Sequence, residues 1–92
     1  MQDPLSSVVA AIEAIDAELG AHEAGRGHVS NTRQLEKFRA TLESIKLQIE
    51  SGAVPPRAER PTGIGRVIAD SWPFDSELGA LILEAEQRYL RM

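Results

Sequence analysis

Leu35-Glu36-Lys37-Phe38-Arg39-Ala40-Thr41-Leu42-Glu43-Ser44-Ile45-Lys46-Leu47-Gln48-Ile49 sets its large apolar residues at alternating three- and four-residue steps. That spacing defines the seam of a helix lying against another helix. An earlier segment repeats it with Leu5, Val8, Ile12, Ile15 and Leu19, so the first half of the chain supplies a partner for its own seam. The two segments predict an antiparallel, coiled-coil-like helical hairpin.

The boundaries follow from local chemistry. Asp3 is placed to cap a first helix, and Pro4 falls at the first helical position, where its missing N–H costs nothing. This helix is expected over residues 4–24, with Gly25 as its stop. The connection Gly25 to Ser30 is glycine-rich and closes on Ser30, a candidate second cap. Helix 2 is expected over residues 31–51, ended by Gly52.

Charge reinforces the pairing. Residues 1–24 carry five acidic side chains (Asp3, Glu13, Asp16, Glu18, Glu23) and no Lys or Arg, whereas residues 25–60 carry seven basic against four acidic. In the antiparallel register the seam positions pair when partner numbers add up to 57, so that Val8 meets Ile49, Ile12 meets Ile45, Ile15 meets Leu42, Leu19 meets Phe38 and His22 meets Leu35. With Leu5 and Leu35 as a positions of the heptad, Asp16, Glu23, Arg39 and Lys46 are e positions, which places Asp16 beside Arg39. Exposed pairs of this kind choose orientation and register more than they add stability.

Residues 53–63 contain three prolines and form neither helix nor central strand. In polyproline geometry they reach roughly 34 Å, about the length of a 22-residue helix. Such a crossover is long enough to return along the hairpin, and also free to lead away from it. A short helix is expected over residues 64–71, interrupted at Trp72-Pro73 because proline disfavours helix in the residue before it. Asp75 or Ser76 then caps a last helix over residues 75–90, with Leu78, Leu81, Ile82, Ala85 and Tyr89 on one broad face and Leu83 and Leu90 off it. A helix apolar on more than one side is buried on more than one side, which predicts that this one lies between the hairpin and a second body. The expected fold class is therefore all-α, a single domain over residues 1–92 built as a three- to four-helix bundle.

Composition limits what such a chain does. A chain of 92 residues supports one modest core, and the 4% aromatic content makes that core aliphatic. The net charge of −4 disfavours phosphate backbones and anionic membranes and favours a basic protein partner. With no cysteine there is neither disulfide nor thiolate metal site. The N-terminus lacks the pattern of a signal peptide, and no run reaches the ~20 apolar residues of a membrane span, so a cytoplasmic protein is expected.

No motif for catalysis, metal or cofactor stands out, and a non-enzymatic protein without cofactor is expected. His22 with His28, Glu18 and Glu23 lacks a defined fourth ligand, and His22 reads as the wet end of the seam. Gly63-Ile64-Gly65-Arg66 has neither a preceding strand nor the third glycine of a phosphate loop, and Arg66 reads as a solvated helix residue. The serines lack a nucleophile context.

The most distinctive chemistry is Asp70-Ser71-Trp72-Pro73-Phe74-Asp75, two aromatics between two carboxylates at a proline break. It reads first as a core plug where the short helix meets the last one. It also fits a hot spot for a basic partner, with the rings supplying buried area and the acids matching charge. In size, acidity and this aromatic-acidic break before the last helix, the chain resembles the small helical immunity proteins that neutralise basic nucleases, an analogy of class carried by no single motif.

The leading expectation is thus an interaction module that masks a partner, as an inhibitor, immunity-like protein, anti-activator or adaptor. Its candidate contact residues are Trp72, Phe74, Asp70, Asp75, Arg66, Leu83, Tyr89, Asp16 and Glu23. The alternatives are a structural homo-oligomer, down to a homodimer, meeting through Leu47, Leu83 and Leu90, and a nucleic-acid or nucleotide binder using Arg57, Arg60 and Arg66, which the net charge opposes.

Overall fold

A computed structural model of the chain describes residues 3–25, 32–56, 59, 66–68, 72 and 76–92. It contains α1 (Pro4–Glu23), α2 (Thr32–Ser51) and α3 (Glu77–Leu90), with no strand among the described residues. The fold is all-α, and the helix limits fall within two residues of those read from the sequence.

The caps explain the limits. The Asp3 Oδ1 accepts the Ser6 N–H at 2.7 Å ahead of Pro4, satisfying a donor that the first turn leaves orphaned. Gly52, at φ 74°, ends α2 in a Schellman turn: the Ala53 N–H donates to Gln48 O at 3.0 Å and the Gly52 N–H to Ile49 O at 3.3 Å. Gly25 takes the same left-handed geometry, φ 75°, after α1. Of the two candidates for the last cap, Ser76 does the work, its Oγ accepting the Gly79 N–H at 3.0 Å. Asp75, Ser30 and most of the connection between α1 and α2 lie outside the described residues.

The hairpin forms as expected. Val8, Ile12 and Ile15 of α1 and Leu35, Phe38, Leu42 and Ile45 of α2 are buried in one core, with Leu19 and Ile49 partly buried at its edges. The Arg39 Nε donates to Asp16 Oδ1 at 2.6 Å, the e-to-e contact that the antiparallel heptads require.

The last helix corrects one expectation. α1 lies along both α2 and α3, and α3 in turn reaches α2 through the Tyr89–Gln48 hydrogen bond. Leu83 and Leu90 are half-buried against the same core as Leu78, Ile82, Ala85 and Tyr89, so the apolar surplus of α3 is taken up within the chain and no second body is needed to cover it. The physical reason is that α3 rests on α1 while reaching across to α2, and a helix touching two neighbours buries a wider arc than a single seam.

Two side-chain bonds fix the direction of α3. The Trp72 indole N–H donates to Gln34 Oε1 at 2.8 Å near the start of α2, and the Tyr89 hydroxyl donates to Gln48 Oε1 at 2.6 Å near its end. α3 therefore runs parallel to α2 and antiparallel to α1. The chain leaving Ser51 returns to the level of Gln34, about 26 Å back at 1.5 Å per residue, a distance within the reach of the proline-rich crossover. Of that crossover, Val54 packs against the core and the Glu59 N–H donates to Pro56 O at 2.9 Å. Residues 66–68 are helical, and the Trp72 N–H bonds Ile68 O at 3.0 Å in helical i to i−4 fashion. The rest of the expected short helix lies outside the described residues.

Candidate interaction site

Each candidate residue inherits its setting from this packing. Trp72 is buried, with 8% of its surface exposed, and its ring tilts at 39° against Phe38 with centroids 5.8 Å apart. Tilted contact suits the opposed charge distributions of ring face and edge. With the indole N–H satisfied by Gln34, Trp72 closes the end of the core and its ring is not surface. Tyr89 is fully buried and its hydroxyl is satisfied by Gln48. Leu83 is half-buried against the core. The structure thus gathers Trp72, Tyr89 and Leu83 inward instead of into an outer patch. Asp70, Phe74 and Asp75 lie outside the described residues, as do His28, Gly63, Gly65, Arg57 and Arg60.

Arg66 is exposed at the beginning of the 66–68 turn. Asp16 and Glu23 are exposed on α1, and Glu13, which the sequence reading did not single out, joins them. α1 packs against both α2 and α3, and its Glu13, Asp16, Ala17, Gly20 and Glu23 remain exposed. The heptad itself held the signal for Glu13, since it falls at b, a position that an antiparallel pair leaves outside. Asp16 shares its charge with Arg39, whose guanidinium is held protonated even more firmly than usual by the Asp16 hydrogen bond and charge.

At the far end of α1, His22 Nε2 lies 3.4 Å from Glu18 Oε2, one helical turn away. Among the described residues no three His, Cys, Asp or Glu side chains are grouped to hold a metal ion. No buried side-chain nitrogen or oxygen among them lacks a hydrogen-bond partner, so none is left aimed at an absent ligand. Among them no helix is long and apolar enough to cross a membrane. What this surface offers chemically is fixed negative charge on a rigid helix, able to accept hydrogen bonds from Lys or Arg side chains.

Compared with models of known protein families and with curated protein sequences, the chain matches none.

Proposed function

We propose that the chain is a non-enzymatic interaction module that binds and masks a partner protein through a basic surface of that partner, as an inhibitor, immunity-like protein, anti-activator or adaptor does. The observation that carries this reading is the outward face of α1, where Glu13, Asp16 and Glu23 are exposed on a 20-residue helix that contains no Lys or Arg. Charge arranged this way sets on-rate and partner choice, since it attracts a cationic surface and repels an acidic one. Trp72 and Tyr89 are buried, and this reading therefore rests on the charge of α1 and not on their rings.

The test is affinity capture with the folded protein, comparing wild type with Glu13→Lys/Glu23→Lys. A specific partner retained by wild type, released by moderate salt and lost by the double variant supports the reading. Recovery of no partner, or recovery unaffected by reversing both charges, removes it.

A second reading, a homo-oligomeric scaffold, rests on Leu47, which is 64% exposed on the outer side of α2. Sedimentation equilibrium decides it: a strict monomer at high concentration, unchanged by Leu47→Lys, dismisses this alternative.

A further inference from the structure

Asp16 stands on the exposed side of α1 with a cation already on it. The Arg39 Nε donates to Asp16 Oδ1 at 2.6 Å and its Nη2 to Asp16 Oδ2 at 3.4 Å, so the planar guanidinium lies along both carboxylate oxygens. Its remaining nitrogen, Nη1, is 3.4 Å from Glu43 Oε1, one turn further along α2. A single guanidinium is thus shared between a carboxylate on the neighbouring helix and one on its own.

The pair is open to exchange. The side chain of Asp16 is 49% exposed and that of Arg39 39%, and exposed pairs contribute little to stability. The hairpin does not depend on it, since Ile12, Ile15, Leu35, Phe38, Leu42 and Ile45 hold the seam by burial. On leaving Asp16, the Arg39 side chain keeps its contact with Glu43. The cation best fitted to take the vacated place is another guanidinium, whose fork reproduces both bonds on Asp16, whereas an ammonium is a point charge without that geometry.

We propose that Arg39 is an internal stand-in for an arginine of the partner: on binding, the partner's guanidinium takes over Asp16 while Arg39 stays with Glu43. This rests on the reading of the α1 face as a surface for a basic partner. It adds that the group facing Asp16 is an arginine, with lysine a poorer substitute. Glu13, one turn before Asp16, and Glu23, two turns beyond it, are exposed on the same helix and draw in the surrounding positive charge.

Titration of the full chain with hexa-arginine and hexa-lysine peptides at low salt tests it, followed by the NMR signals of the Arg39 Nε–H and of the Glu13, Asp16 and Glu23 carboxyl carbons. Hexa-arginine is expected to move the Arg39 signal together with the carboxyls and to bind more tightly than hexa-lysine. Asp16→Asn is expected to remove most of that preference, whereas Glu23→Gln weakens both peptides alike. Arg39→Gln, which leaves Asp16 open, is expected to tighten hexa-arginine about 2- to 5-fold. Lys46→Gln removes the same charge from the same heptad edge of α2 and is expected to do less. Carboxyls that respond while the Arg39 signal stays fixed overturn the exchange and leave the acidic-face reading standing. No response at any of the carboxyls overturns both. Equal effects of Arg39→Gln and Lys46→Gln reduce Arg39 to its net charge and overturn the exchange.

Discussion

The Trp72 indole N–H and the Gln34 side-chain oxygen, 38 positions apart in sequence, meet at 2.8 Å and bring the chain that leaves the far end of α2 back to its beginning. Trp72 fills the core beside Phe38 at this point, so its loss is felt as lost packing. Trp72→Ala is expected to cost about 3–5 kcal/mol of unfolding free energy, and Gln34→Ala about 1 kcal/mol. Urea titrations followed by helical ellipticity check both values. A Trp72→Ala variant as stable as wild type would return the ring to the surface.

The exposed pair Asp16–Arg39 acts on register. Arg39→Asp puts two carboxylates face to face and is expected to lower the thermal midpoint, whereas the exchange Asp16→Arg/Arg39→Asp restores most of it. Both differences should shrink between low salt and about 1 M salt, where the Debye length is about 3 Å. Identical midpoints for the single and the exchanged variants would leave the pair without a role in orientation.

The glycines of the helices make opposite predictions. Gly20 sits inside α1 with nothing within 4 Å of a Cβ built on it, so Gly20→Ala is expected to stabilise by about 0.5–1 kcal/mol through backbone entropy. At Gly79 the added Cβ would lie 3.1 Å from Ile68 Cγ2, and Gly79→Val is expected to destabilise by about 1–3 kcal/mol through overpacking. Denaturant midpoints at constant slope measure both.

The cap on α1 gives the chain an acid limb. The carboxyl of Asp3 is held below its ordinary value of 3.8, chiefly by the hydrogen bond from the Ser6 backbone N–H, with a smaller contribution from the charge of Arg88. A carboxyl lowered in the folded state stabilises above its unfolded value, and that contribution is lost as pH falls through the folded one. Asp3→Ala is therefore expected to lower the thermal midpoint at neutral pH, by a difference that narrows steadily below about pH 4. A difference as large at about pH 2 as at about pH 7 would contradict it.

The sequence made the hairpin legible because each of its devices is local or strictly periodic. Asp3 with Pro4, Gly25 and Gly52 mark helix ends by the φ values and donors that only such residues supply, and the heptad sets which side chains meet. Asp16 with Arg39 followed from position alone. The candidate site was less legible. Trp72 and Tyr89 stand out in composition, yet whether an aromatic ring faces in or out depends on which glutamine it can reach on another helix. Glu13 is an outer position of the heptad but belongs to no motif.

By itself, then, the sequence determined three things: the helices, the antiparallel pairing of the first two, and the absence of positive charge along α1. The tertiary structure alone decided that Trp72 stands beside the start of α2, that α3 runs parallel to α2, and that α1 packs against both other helices. The reason is physical. Large apolar residues at heptad spacing announce a seam, whereas Ser7, Ala11 and Ala14 announce nothing, because small side chains gain meaning only from the bulk laid against them. Gly79 is silent in the same way until Ile68 is brought to it, and contacts made across such distances in the chain carry no period for a sequence to display.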